Sequence, residues 1–596
     1  MPIENPRSMN TGVTRRTFLQ GYSSTAALVS GVFAGSAQAG ASNGPPQPAA
    51  SPGGTPASKA PRFYYHNDGT FLMYVQPAIT LERFVHETVG HLLGTQVGGI
   101  ICHMFSAGDA VPLFRSAIED AQVVEPKTMT SVNTWKYIRN RAALVRMTPD
   151  PWQKAIQKAH EDGIEFWGAM RFNDAHPDTY GLRNRLGTAH PEYYLGSRCA
   201  LHKTPIPHVV EEVCRHLDYS IPQVRAHRLR QLEEVCTLYD VDGIELDFTR
   251  DIGHNFPSAM KDEGVRLLTQ YLQDVRDALR RVGQRRGRPI KLGARVPGTP
   301  QACRDTGHDV ERWVREGLLD VLTPSVYYDT SCELPFDAFV KIAQGSSCHV
   351  YASVMEGVGP GRFAPPPLEA VRAGGLNAWR HGVYGINLFN FHHQLVTNRT
   401  NDVTLLSELG SPHTLEHRNK LYMIAGDWGQ YRGQRASTSF YVRTPDPLGA
   451  HPHQLPLDVP VQPNGPGVTV RVPIADDIAK ARADRLLASL VLRLDLCNVT
   501  GEEEMELQWN SVKLPLAMAK LEPSLQYPWN WNGVHGQLEA TFDLTHGEWV
   551  RQGDNEFRLQ LRKRPDDLDL PLRLWALRLE VNYNVFPTYL GRDAAV

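Results

Sequence analysis

From Phe63 onward, short apolar runs alternate with longer stretches whose apolar residues recur at helical spacing. The runs predict strands at Phe63–Tyr65, Gly98–His103, Glu165–Arg171, Gly243–Phe248, Lys291–Val296, Val321–Val326, His349–Met355 and Gly382–Phe391. The clearest helix lies between them, from Ser258 to Val282. There Leu268, Leu272, Val275 and Leu279 fall at i, i+4, i+7 and i+11, one apolar stripe with charges elsewhere. Strand–helix alternation argues for βα units around a parallel sheet. Eight such units predict a (β/α)8 barrel, the TIM-barrel form of the α/β class, rather than an open doubly wound sheet. No G-x-G-x-x-G follows the first strand, as a dinucleotide fold would require. The run Gly357-Val358-Gly359-Pro360-Gly361 reads as a turn, because Pro360 has no N–H to offer a phosphate.

After about Ser411 the pattern changes. Leu487–Leu496, Met505–Trp509, Gln537–Leu544, Glu556–Leu561 and Leu572–Tyr583 are strand-like and separated by Gly, Asn, Asp and Pro turns. They predict a C-terminal β-sandwich of jelly-roll type over 411–596, an accessory domain behind the barrel of 61–410. The start of the chain carries neither period. Thr14-Arg15-Arg16-Thr17-Phe18-Leu19-Gln20 resembles a twin-arginine export signal; a mildly apolar run follows from Ala26 to Ala34, then the small-x-small site Ala37-Gln38-Ala39. That run is far shorter than the ~20 residues of a membrane span. Residues 1–39 are therefore expected to be an export signal read by the twin-arginine translocation machinery. The mature form then has no membrane anchor and resides in the periplasm or outside the cell. Residues 40–60, rich in Gly, Pro, Ala and Ser, are expected to be a flexible linker.

Composition changes this picture little. Apolar residues make up 41% and charged residues 21% of 596, a globular balance, and a net charge of −2 gives no general attraction to nucleic acid. The five arginines between Arg280 and Arg288 sit where the long helix should end and complement its dipole. None of the eight cysteines forms a C-x-x-C pair. His86 and His91 are five apart, so they do not share a helix face as a zinc-protease pair does. No cofactor and no metal is expected.

In a barrel of this kind the chemistry lies at the carboxyl ends of the strands. Those ends offer His66, His103, Arg171, Asn173, Arg295, Tyr327, Tyr328, Asn390 and His392, a set of hydroxyl-binding polar groups and aromatic faces suited to a carbohydrate substrate. The sharpest segment is Asp242-Gly243-Ile244-Glu245-Leu246-Asp247-Phe248. On an extended strand Glu245 and Asp247 share one face, and the apolar residues between them share the other. Two carboxyls that close cannot both ionise freely, which keeps one protonated near neutrality. Asp242 is expected to do structural work.

This segment resembles the strand-four motif D-G-x-D-x-D-x-E of chitinase-type barrel glycosidases, with Thr249 where they carry the catalytic Glu. That departure argues against a chitinase mechanism. Together with His190-Pro191-Glu192 upstream, the segment is also similar to the glycosyl-hydrolase-like-10 group of bacterial barrel proteins. The resemblance covers about 61–410. It implies a glycoside hydrolase with Asp247 as the central acid/base at the end of strand four and Glu356 as nucleophile at the end of strand seven; Glu245, on the same strand face as Asp247, is a further catalytic candidate. Carboxyls ~5–5.5 Å apart would give retention of configuration and ~6.5–9.5 Å inversion. Glu356 is equally readable as a loop acid before the glycine-rich turn. Two other functions compete: a non-catalytic carbohydrate-binding protein on a glycosidase fold, and a metal-dependent hydrolase using His66, His103, His392 and His393 with Asp247.

Overall fold

A computed structural model describes residues 60–106, 110–118, 122–123, 131–172, 182–199, 215–249, 255–326, 330, 332–355, 368–391, 403–425, 454–523 and 537–584. Residues 60–596 form one compact unit. The expected signal, and the expected linker up to residue 59, lie outside the described residues.

Eight parallel strands close into a barrel: β1 (Phe63–Asn67), β2 (Gly99–His103), β3 (Glu165–Arg171), β4 (Gly243–Asp247), β5 (Lys291–Pro297), β6 (Val321–Ser325), β7 (His349–Met355) and β8 (Gly385–Phe389). Each pairs with its neighbour in sequence, and β1 pairs with β8. The open-sheet alternative is thereby excluded. Every barrel strand expected from the sequence is found. The last is shorter than expected because Gly382 is a left-handed residue (φ 81°) of the preceding turn.

The stripe Leu268, Leu272, Val275 and Leu279 is fully buried in a helix running from Lys261 to Arg286. Gly287 ends it in the left-handed conformation (φ 75°), which only glycine adopts without cost. Arg288 then bonds Asp240 and Asp242. Asp242 also accepts from His160 and from the backbone N–H of Phe166, so it ties the amino ends of β3 and β4 together, the structural work expected of it.

The barrel is plugged at its amino end by Tyr64, Trp167 and Tyr351, with Ile101, Ala169 and Val321 around them. Glycines on neighbouring strands make room for these rings: a Cβ at Gly243 would lie 2.5 Å from the Trp167 indole. Glu165 holds the plug by accepting from the Tyr64 hydroxyl and the Trp167 indole N–H at 3.0 Å each.

The C-terminal region forms two antiparallel sheets. One runs in the order Lys420–Ala425, Leu572–Tyr583, Leu487–Cys497, Leu538–Asp543, Lys520–Pro523; the other runs Val468–Ile474, Gly553–Lys563, Glu504–Trp509, Val512–Leu514. Their inward residues, Leu492, Leu494, Phe557, Leu559 and Leu577 among them, fall into one apolar cluster. Strand Val468–Ile474 is an addition to the expected set, although its alternation Val468, Val470, Val472, Ile474 is plain; Pro473 obscures it and is tolerated because the strand lies at a sheet edge. The sheets rest on the barrel helix Leu368–Arg380, where Asn377 donates to the Pro473 carbonyl at 2.9 Å. Among the described residues no helix is long and apolar enough to cross a membrane.

Candidate active site

Strand alternation decides which side chains enter the barrel. On β4, Ile244 and Leu246 pack into the outer core, which turns Glu245 and Asp247 toward the axis. The same rule brings His66 in from β1, His103 from β2, Arg171 from β3, Arg295 from β5 and Ser325 from β6. All are buried.

Asp247 is the hub. Its Oδ1 accepts from the Thr249 backbone N–H (3.0 Å) and hydroxyl (2.7 Å). Arg295 Nη1 reaches both of its oxygens, at 3.2 and 3.1 Å. Arg171 Nε stands 3.8 Å away and His103 Nε2 3.7 Å away. Burial alone would push this carboxyl up, but Arg295, His103, Arg171 and His66 hold it well below the usual range, so Asp247 is ionised. Thr249, the position where the chitinase motif carries its catalytic Glu, is the residue that orients Asp247.

Glu245 is the opposite case. Its register neighbours on β3 and β5 are Ala169 and Gly293, which offer it nothing. Neither of its oxygens has a hydrogen-bond partner among the described residues; His66 Nδ1 lies 3.4 Å from Oε1. Burial and then the Asp247 charge raise it to about 8, so it is protonated at neutral pH. The two carboxyls thus divide their states in the way same-face acids are expected to. The strand-four resemblance implies the acid/base role for Asp247, whereas burial and the Asp247 charge favour the protonated form of Glu245.

Around them the polar ring closes. Asp68 accepts from Arg171 Nη2 (2.7 Å) and from Asn390 Nδ2 (3.1 Å). Asn390 sits in the left-handed region (φ 60°), where asparagine is enriched, and its backbone N–H donates to the His66 carbonyl. Arg295 Nη2 donates to Ser325, whose hydroxyl donates to Ser353. The Arg295 guanidinium lies 3.8 Å over the Phe389 ring. His66 and His103 stack at 5.1 Å, and their Nε2 atoms are 3.0 Å apart. Thr323 Oγ1 and both amide atoms of Asn387 are buried with no partner among the described residues.

Of the residues expected at the site, Glu245, Asp247, His66, His103, Arg171, Arg295 and Asn390 converge. Asn173, Tyr327, Tyr328, Glu356 and His392 lie outside the described residues, and so does His393 of the metal reading. Among the described residues no group of three or more His, Cys, Asp or Glu could hold a metal. His190 and Glu192 of the upstream motif pair with each other at 3.0 Å on the surface. Sequence reasoning placed Asp68 at the end of strand one without a role and passed over Ser325, Ser353 and Phe389. Alternation within the predicted strands would turn Ser325, Ser353 and Phe389 inward with Arg295; the Asp68 role depends on Arg171 reaching across, which no local pattern shows.

No family model and no curated protein matches the chain. Among solved structures the chain is similar to an α-L-fucosidase isoenzyme 2 from Paenibacillus thiaminolyticus, at 15% identity and a TM-score of 0.36 over 59% of this chain and 48% of that one. It is also similar to the glycoside hydrolase domain of PgaB (BpsB) from Bordetella bronchiseptica, at 9% identity and 0.37 over 59% of this chain and 99% of that one. A third similarity is to a GH36 α-galactosidase from Geobacillus stearothermophilus, at 13% identity and 0.31 over 87% of this chain and 55% of that one. This chain spans about half the length of the fucosidase. The fold assignment rests on the barrel's own strand order.

Proposed function

We propose that the chain is an exported glycoside hydrolase that cleaves a poly- or oligosaccharide at the carboxyl end of the barrel. One observation carries this reading: Glu245 and Asp247 lie on the same inward face of β4, Asp247 bonded to Arg295 and Thr249 and Glu245 with neither oxygen bonded among the described residues, inside a ring of arginine, histidine and amide groups. Glycosidic cleavage needs that division. A neutral acid gives its proton to the leaving oxygen as the C–O bond breaks, and a fixed anion offsets the positive charge that develops at the anomeric carbon. Glu245 supplies the proton in this scheme and Asp247 the anion. Arg171, Arg295 and Asn390 orient the polar ring, and Glu356 is the nucleophile that the family resemblance implies. The sheets of 411–596 serve as an accessory domain.

The test is hydrolysis by the mature protein across a panel of glycosides and polysaccharides. Turnover should fall as pH rises through about 8, where Glu245 loses its proton. Azide should rescue a Glu356→Gln variant, because a small anion replaces a missing nucleophile. Glycan binding without turnover on any substrate would sink the enzyme and leave the carbohydrate-binding alternative. Export has its own test: changing Arg15 and Arg16 together to Lys should leave the precursor in the cytoplasm, and undiminished export would remove the twin-arginine reading.

A further inference from the structure

The strand registers place Glu245 in company that its own strand does not show. In a (β/α)8 barrel each layer of the lumen takes one side chain from every second strand, and the strand tilt offsets successive members by two residues. Here Glu245 is level with Gly293 and Gly293 with Val321, so the β6 member of its layer is Thr323. Val321 pairs with His349, which sets Thr323 level with Tyr351; Tyr351 pairs with Gly385, and two residues on is Asn387. The same step through Tyr64 and Gly99 gives Ile101 on β2, and through Trp167 and Gly243 it returns to Glu245. The layer therefore closes on itself as Ile101, Glu245, Thr323 and Asn387.

Beneath this layer lies the aromatic plug of Tyr64, Trp167 and Tyr351. Glu245, Thr323 and Asn387 are all fully buried, and none of their five side-chain polar atoms has a hydrogen-bond partner among the described residues. Even His66 Nδ1, 3.4 Å from Glu245 Oε1, is not bonded to it. Three polar side chains that reach for one axis without bonding one another leave its centre to a small polar group. Full burial keeps a sugar out. Water fits, because it both donates and accepts, and a buried water typically makes about three hydrogen bonds.

We propose that this layer is a binding site for an internal water held by Glu245, Thr323 and Asn387. Burial and the Asp247 charge keep Glu245 protonated, so it has an O–H to give. The water accepts from that O–H and from Asn387 Nδ2, and it donates to Thr323 Oγ1. The site stands apart from the glycosidase reading. Under that reading the water also fixes the acid below Asp247, which makes Thr323 and Asn387 its positioning residues.

The site is testable without any substrate. In a crystal structure of the full chain that orders solvent, a peak should lie about 2.5–3.2 Å from polar atoms of all three side chains. A layer with no such peak, or with the three side chains bonded directly to one another, would overturn the proposal. Thr323→Val keeps the shape and leaves two partners, so the peak should remain. Adding Asn387→Leu leaves one partner, fewer than a buried water needs, and the peak should be lost. Infrared spectra read the same site from the acid. The C=O band of protonated Glu245, assigned by its loss in Glu245→Gln, should rise in frequency in the double variant as the O–H loses its acceptor. If that variant does not fold, Asn387→Leu alone carries the test with a smaller rise. A band absent from the wild type, or unmoved in the folded variants, would overturn the proposal. A wrong glycosidase assignment would instead show as no turnover with the wild-type peak and band in place.

Discussion

The buried carboxylates of the barrel and those of the C-terminal sheets are built on opposite plans. In the sheets, Asp476 accepts from Lys420 Nζ at 3.0 Å, the Tyr583 hydroxyl at 2.6 Å and the Tyr422 hydroxyl at 2.5 Å. Lys420 spends a further proton on the Arg418 carbonyl. Both carboxylate oxygens and both tyrosine hydroxyls are used. In the barrel, Asp247 is similarly held, yet Glu245 two residues earlier has neither oxygen bonded among the described residues. Asn387 and Thr323 likewise present bare polar atoms in the same lumen. A saturated buried network fixes the packing around it. An unsaturated one carries a desolvation cost that the fold offsets elsewhere, and such sites mark places where a ligand or a proton has work to do.

The largest expected effect separates the two clusters by function. Glu245→Gln keeps the shape of the side chain but holds no transferable acid proton, so turnover should fall ~10²–10⁴-fold with folding intact. Near-wild-type turnover on a confirmed substrate would erase the distinction. Next in size is the structural counterpart. Asp476→Ala leaves Lys420 buried without its carboxylate and should cost about 3–5 kcal/mol, read as a lower midpoint in chemical denaturation, with kcat unchanged in whatever fraction stays folded.

A smaller effect lies in the pH dependence of stability. Glu245 keeps its proton in the native state to about 8, against an ordinary value of 4.5. Between those values the unfolded chain has lost that proton and the native protein has not, so stability falls as pH rises, by up to about 1.4 kcal/mol per pH unit. Asp247 acts in the other sense: its depressed value stabilises the fold above the ordinary 3.8 and that contribution is lost on acidification. Denaturation curves for Glu245→Gln should lack the alkaline loss; an unchanged slope would mean that Glu245 ionises normally. Asp247→Asn conserves side-chain size, but it strips the counter-charge from buried Arg295, so it should lose stability as well as turnover. Smallest is Thr249→Val, which removes the hydroxyl donor to Asp247 and should cost about 1–2 kcal/mol of stability.

Much of this is legible along the chain. The strand–helix alternation marks all eight barrel strands, and the period of two on β4 is enough to put Glu245 and Asp247 on one face. Those are local facts: a strand's alternation and a helix's repeat are set by backbone geometry within a few residues. What only the tertiary structure decides is which of the two acids keeps the proton. That depends on Arg295, 48 residues further on, and on Arg171 and His103 from other strands, all of which converge on Asp247, while Glu245 meets Ala169 and Gly293. The charge on a buried carboxyl is set through space by whatever the closed barrel brings within a few ångströms, and spacing along one strand carries no record of it.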